Sequence, residues 1–148
     1  MDFRILGPLE VRREKEPLIL GRAKQRALLA ILLLHANEAV SGDRLVDDLW
    51  GARPPETAAN TLQVYVGQLR KALEPERTRG TPSQVVLTRP GGYLLSVDPA
   101  GLDAERFEHQ LADGTAAAAA GDTAAAAQLL RDALDLWRGP PLADLAFE

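Results

Sequence analysis

The run from Glu56 to Glu74, ETAANTLQVYVGQLRKALE, holds the side chains of this chain best suited to reading another molecule. Asn60, Gln63 and Gln68 each carry an amide that can pair with an adenine edge, and Thr61 and Val64 can meet a thymine methyl group. Arg70 and Lys71, near the end of the run, are suited to phosphates, and Tyr65 is assigned to a phosphate as well. Such a set can enter a major groove only if one element presents it on one side. Leu62, Val66, Leu69 and Leu73 recur at spacings of four, three and four, which makes the run a helix with an inward apolar stripe. The amides then lie on the remaining surface, and the only carboxylates, Glu56 and Glu74, stand at the two ends. A solvated amphipathic helix would show the same stripe, so the surrounding elements must decide between the two readings.

Other chemistry has little to work with. The chain has no Cys, and its two histidines, His35 and His109, are isolated from one another and from any metal-ligand spacing. A Ser-His-Asp order, a phosphate loop and a paired His/carboxylate motif are all missing, so neither catalysis nor a metal or cofactor is expected. At 148 residues and 46% hydrophobic content the chain can bury the core of one medium domain or two small ones. The opening MDFRILGPLEV lacks a basic region followed by a long apolar run, and the apolar stretch Leu28 to Leu34 is far shorter than a membrane span. A cytoplasmic, nucleoid-associated protein without membrane attachment is the simplest expectation. The net charge of −4 is unevenly divided: residues 1–99 carry 14 Lys/Arg against 12 Asp/Glu (+2), and residues 100–148 carry 3 against 9 (−6). Only the first part can face DNA, through a local patch rather than bulk charge.

The elements around the run follow in chain order. Phe3 to Val11 alternates about a Gly7-Pro8 break and Pro17 to Leu20 is a second short apolar run, which predicts short antiparallel strands joined by a turn over Arg12 to Glu16. Residues Arg22 to Ala36 predict a buried helix with Ala23, Ala27, Leu28, Ile31 and Leu34 on its inner face. Its basic start, Arg22, Lys24 and Arg26, opposes the helix dipole and so invites an external anion or stands solvated. Asn37 to Val40 is expected as a linker. Ser41 is a suitable N-cap for a second helix in which Leu45, Leu49 and Trp50 point inward. Asp43, Asp47 and Asp48 on its outer face would repel phosphate, so this helix is expected to support the next one and to offer a surface to a protein. Gly51-Ala52-Arg53-Pro54-Pro55 stops it. Three helices in this order match a helix-turn-helix. Farther on, VVLTRPGGYLLSV predicts a β-hairpin, whose exposed tip, with Thr88 and Arg89, can serve as a wing and insert the arginine into a minor groove.

Strands, three helices and a wing in this order resemble the OmpR/PhoB-type winged helix-turn-helix. The phrases KQRALLAILLLHAN, VSGDRLVDDLWG, NTLQVYVGQLRKALEP and LTRPGGYLL are similar to the Streptomyces antibiotic regulatory protein family within it. That resemblance covers residues 1–97. Residues 101–148, from DAERFEHQL to ALDLWRGPPLADL, resemble the start of that family's bacterial transcriptional activator domain, an all-helical domain related to tetratricopeptide repeats. The residues of the tail independently predict an αα-hairpin, Asp103 to Ala119 and Thr123 to Trp137, with Phe107, Leu111, Leu129, Leu130, Leu134 and Trp137 as apolar positions. One hairpin cannot bury both its apolar faces, so the chain is expected to end inside a longer domain.

The resemblance implies an activator of secondary-metabolite genes that binds direct repeats of double-stranded DNA, two copies side by side, over the −35 region of a promoter. It implies RNA polymerase as the protein partner, met at the sigma factor through Asp43, Asp47, Asp48, Trp50, Gly51, Ala52 and Arg53. It also places Arg89 at the family's minor-groove position; Thr88 beside it is expected at a phosphate. The rival reading is a winged-helix module that pairs with proteins and never touches DNA, since fold alone does not decide function.

Overall fold

The computed structural model describes residues 1–145, so the last three positions of the expected 101–148 domain lie outside the described residues. In chain order it forms strands β1 (Asp2–Arg4), β2 (Glu10–Arg13) and β3 (Glu16–Pro17), helix α1 (Ala23–Leu34), strand β4 (Val40–Ser41), helices α2 (Gly42–Trp50) and α3 (Ala58–Leu73), strands β5 (Val86–Arg89) and β6 (Gly92–Leu95), and helices α4 (Asp103–Ala119) and α5 (Thr123–Asp135). This is an α+β winged helix-turn-helix followed by a helical hairpin. Contacts divide the chain into two compact units, one spanning Leu18–Val97 and the other joining Met1–Pro17 to the chain from Asp98 onward. One limit of that division lies beside the boundary expected after residue 97. The other, at residues 17 and 18, had no counterpart in the sequence reading.

In the Leu18–Val97 unit, the inner sides of three helices close one core. Leu28, Leu29, Leu32 and Leu33 of α1, Leu45 and Leu49 of α2, and Leu62, Val66, Leu69 and Leu73 of α3 are all buried. Each such leucine contributes roughly 1.5–3 kcal/mol relative to exposure. The face expected for α1 is corrected here: Leu34 is 61% exposed and Leu29 and Leu33 take the inner position instead. Ser41 caps α2 as its type predicts, its hydroxyl accepting from the Arg44 amide at 3.1 Å. Trp50, expected inward, is only half-buried.

The stretch expected as a linker is structured. Val40 and Ser41 form β4, which adds to the β5-β6 hairpin in the order β4-β6-β5, with Val40 opposite Tyr93 and Ser41 opposite Gly92. Asn37, in the turn after α1, takes φ 64°, the left-handed conformation that Asn tolerates. Its side chain then clamps the strand end, accepting from the Val97 amide and donating to the Val97 carbonyl, both at 2.9 Å.

The other unit is an antiparallel sheet, β1-β2-β3, folded with α4 and α5. Phe3 pairs with Val11, and Glu14 and Lys15, both at positive φ, turn the chain into β3. The strand expected over Pro17 to Leu20 is corrected: β3 ends at Pro17. What ties this sheet to the tail is Asp103, 1% exposed, whose carboxylate accepts from the Ile5 and Leu6 amides at 2.9 and 3.0 Å. Arg138 adds its own amide to the Leu6 carbonyl at 2.8 Å and its guanidinium to the Pro8 carbonyl at 2.7 Å. In the hairpin, Gly114 lets α4 approach α5 so closely that a Cβ there would lie 2.7 Å from a Leu130 methyl. Phe107 and Trp137 meet edge to face at 5.4 Å. Leu111, Leu134 and Trp137 remain 42%, 65% and 38% exposed. Among the described residues no helix is long and apolar enough to cross a membrane, and no group of three or more His, Cys, Asp or Glu could hold a metal ion.

Candidate nucleic-acid interface

With Leu62, Val66, Leu69 and Leu73 turned inward, the outer face of α3 presents Asn60, Gln63, Val64 and Lys71, all exposed, with Val64 55% so. Thr61 is half-buried on the flank toward α1 and α2. On that same flank Tyr65 stacks on Trp50 of α2, ring centroids 6.0 Å apart and planes 17° from parallel. Gln68 is also exposed there, and its side-chain oxygen accepts from the Gln25 amide of α1. The two expected phosphate cations separate in the structure. Lys71 is exposed. Arg70, one residue and about 100° around the helix, turns to the wing, where Nε donates to the Val86 carbonyl at 3.0 Å and a terminal nitrogen donates to the Thr88 hydroxyl at 2.8 Å. Its guanidinium also lies 5.8 Å from the centre of the Tyr93 ring, a cation–π distance. Arg70 and Thr88 therefore hold α3 and the wing in register with one another.

The wing tip is built by Pro90 and Gly91, with Gly91 at φ 75°, the pattern of a type II turn. Gly42, the first residue of α2, donates its amide to the Gly91 carbonyl at 2.8 Å, so the tip is fastened to the helix-turn-helix. Arg89 is exposed, and its guanidinium donates to the neighbouring Thr88 carbonyl at 3.1 Å. Between the start of α2, the N-terminal half of α3 and the wing lies a cleft of about 320 Å³ that brings Gln63, Thr88 and Arg89 together.

The acidic helix is spread along this edge. Asp43 lines the cleft with Gln63 and Arg89, whereas Asp47 and Asp48 are exposed on the helix beyond it. Asp48 pairs loosely with Arg44 at 3.8 Å. At the far end of α2, Gly51 takes φ 65° and donates to the Asp47 carbonyl at 2.8 Å, and Ala52 and Arg53 are exposed. The basic start of α1 is corrected in one respect. Lys24 does not wait for an external anion, because its ammonium donates to the Leu49 carbonyl in the last turn of α2, where the dipole favours a cation.

Several participants were not legible in the sequence. Gln25 meets Gln68 across 43 positions, and Tyr93 lies beneath Arg70 only because the wing folds back. No local spacing announces either. Glu74, at the C-terminal end of α3, anchors the loop to the wing by accepting from the Ser83 hydroxyl and from the Gln84 and Val85 amides at 3.2 and 3.4 Å. Burial alone would raise its carboxyl, but the Ser83, Gln84 and Val85 hydrogen bonds and nearby Arg77 outweigh it and hold the group below its ordinary range.

Comparison with known proteins agrees with this architecture. Residues 15–95 match the family described as transcriptional regulatory protein, C terminal, and residues 102–148 match the bacterial transcriptional activator domain. The transcriptional regulator RedD of Streptomyces coelicolor is 39% identical over 148 residues, covering 97% of this chain and 41% of RedD. The chain thus spans less than half the length of that relative. Among solved structures, Mycobacterium tuberculosis EmbR in complex with a low-affinity phosphopeptide superposes with a TM-score of 0.90 at 39% identity, over 97% of this chain and 38% of that one. The DNA-binding domain of Escherichia coli CadC gives 0.50 at 26% identity, over 60% of this chain and 79% of that domain. With a winged helix-turn-helix matched over residues 15–95 and an activator domain over 102–148, the chain belongs to the Streptomyces antibiotic regulatory protein family of transcriptional regulators.

Proposed function

We propose that this chain binds double-stranded DNA sequence-specifically and activates transcription of secondary-metabolite genes, with α3 in the major groove and Arg89 in the adjacent minor groove. The observation that carries the reading is the outer face of α3, where Asn60, Gln63 and Lys71 stand exposed without a carboxylate among them, beside a wing whose tip presents Arg89. Asn60 and Gln63 supply base contacts, Val64 and Thr61 supply apolar ones, and Lys71 holds a phosphate. Tyr65, Arg70 and Thr88 reach phosphates only from positions where each already serves the protein's own packing, so their part in binding is to place the helix and the wing. Arg89 reads the narrow, electronegative groove of A·T-rich DNA by its shape.

One recognition helix of 16 residues reads few base pairs. Two copies side by side on direct repeats near the −35 region are the ordinary route to a specific site. RNA polymerase would then be met through its sigma factor by the exposed edge formed by Asp47, Asp48 and the Gly51 to Arg53 loop.

The test is a mobility-shift titration on the best selected site and on random duplex at two salt concentrations. Replacing Gln63 or Asn60 by Ala is expected to cost on the order of 1–3 kcal/mol on the selected site and little on random DNA. Lys71→Ala is expected to weaken both alike and to lower the salt slope by about one charge. Equal losses on both duplexes for all three variants would remove α3 from the groove. A wild-type chain that shifted neither duplex would leave the protein-pairing module as the better reading.

A further inference from the structure

The outer face of the N-terminal sheet carries charge in a repeated pattern. Alternate residues of a strand share one face, and the register sets Asp2 opposite Arg12 and Arg4 opposite Glu10. On each strand the arginine turns its Nε to the carboxylate two positions earlier, Arg4 to Asp2 at 2.8 Å and Arg12 to Glu10 at 2.6 Å. The second Asp2 oxygen accepts from Arg106 of α4 at 3.2 Å. The carboxylates thus hold both strand guanidiniums by one edge, and the terminal nitrogens of Arg4 and Arg12 have no protein partner among the described residues. Lys15 has none either, and it reaches the same place from the turn between β2 and β3, where Glu14 and Lys15 take φ 50° and 70°.

These side chains converge. Arg4, Arg12, Lys15 and Arg106 line one cleft of about 320 Å³ with Asp2 and Glu14, an excess of two positive charges in a unit whose tail carries −6. Every lining residue belongs to the unit of the N-terminal strands and the tail, so the cleft is complete within it. Planar guanidinium donors held by one edge fit the oxygens of a phosphate with the other. The excess charge also matches the about −1.5 to −2 of a phosphate monoester. A diester linkage brings only about one negative charge and would leave the cleft partly unneutralised. We propose that this cleft binds a small molecule bearing a phosphate monoester, with Arg4 and Arg12 donating to the phosphate oxygens and Lys15 closing the site as a point charge.

Calorimetric titration of the chain at low salt and pH 8, above the second phosphate pKa of about 6, tests it with inorganic phosphate, ribose 5-phosphate and dimethyl phosphate. The first two are expected to bind at one site. Dimethyl phosphate, with the single charge of a nucleic-acid linkage, is expected to bind on the order of tenfold more weakly. Arg12→Gln and Lys15→Gln should each weaken inorganic phosphate and ribose 5-phosphate on the order of tenfold. Arg131→Gln removes a positive charge from an exposed position of α5 outside the cleft and should change neither. Lys15 is exposed and without a polar partner, so its variant carries the test if Arg12→Gln lowers the unfolding temperature. No binding by the wild type, equal binding of the diester, or the same loss in Arg131→Gln as in Lys15→Gln would each overturn the proposal. Duplex DNA binding that weakened in Lys15→Gln while no monoester bound would overturn it in favour of a nucleic-acid backbone contact.

Discussion

Neighbouring side chains on α3 divide between facing outward and holding the wing, and Arg70, Lys71 and Glu74 show what separates them. Lys71 is exposed on the outer face; Arg70 is turned into the wing, where it is hydrogen-bonded to Val86 and Thr88. Glu74 closes the same joint from the end of the helix. A carboxylate at a helix C-terminus opposes the dipole, and three donors from Ser83, Gln84 and Val85 compensate for it. Since these hydrogen bonds and Arg77 lower the Glu74 carboxyl below its ordinary value of 4.5 despite burial, the charged form is the one the fold favours. The sign follows: the contribution is fully present above pH 4.5 and is lost as pH falls through the lowered folded value. Thermal unfolding followed as the pH is lowered from neutrality through 4.5 and further into acid should therefore fall more steeply for the wild type than for Glu74→Gln, which carries no charge to lose. Parallel curves would mean that the loop is held by the Ser83 contacts within its own turn and not by Glu74.

Elements of the winged helix depend on close backbone approaches that side-chain patterns do not announce. Gly92 begins β6 opposite Ser41, and a Cβ there would overlap the Val40 carbonyl oxygen and lie 2.9 Å from the Ser41 Cα. Backbone cannot yield as a flexible side chain can. Gly92→Ala is therefore expected to lower stability by about 1–3 kcal/mol and to release β4 from the wing, seen as a lower unfolding temperature together with faster amide exchange at Ser41 and Tyr93. Gly91→Ala, at a turn position with nothing within 4 Å, tests backbone strain alone and should leave those exchange rates close to wild type. The same elements show where the sequence was informative. The α3 stripe and the Ser41 cap were legible because each signal lies within a few residues of its consequence. The inner face of α1 was not, because LLAILLL is apolar all round and periodicity has nothing to select between Leu34 and Leu33. Two residues of β4 are too few for an alternation, and their partner arrives only with Tyr93 and Gly92. The exposed positions of Asn60 and Gln63 could be named from their place opposite the stripe, whereas the meeting of Gln25 with Gln68 required the tertiary fold.

At the scale of the whole molecule the chain makes two compact units, and the acidic tail, with its −6 between residues 100 and 148, belongs with the N-terminal strands through Asp103. The sequence drew its boundary once, after residue 97, because nothing local in Phe3 to Val11 reveals that their amides are to be accepted by a carboxylate so far downstream. The division bears on the proposed activation. Asp47 and Arg53 lie in the same unit as α3 but outside the face proposed to meet bases, at the exposed end of α2 and in the loop after it. A basic partner meeting this edge would be steered and oriented by opposite charge more than it would be bound tightly by it. Asp47→Lys combined with Arg53→Ala should leave the mobility shift on the selected site intact. Transcription from a reconstituted promoter should fall on the order of tenfold, equivalent to about 1.4 kcal/mol of recruitment. The two readouts must be taken at the same full occupancy of the promoter, so that a loss of transcription cannot come from a loss of binding. Should transcription survive the double substitution under that condition, the activating contact would move to the helical hairpin from Asp103 onward, where exposed Leu134 and Trp137 offer the next surface to mutate.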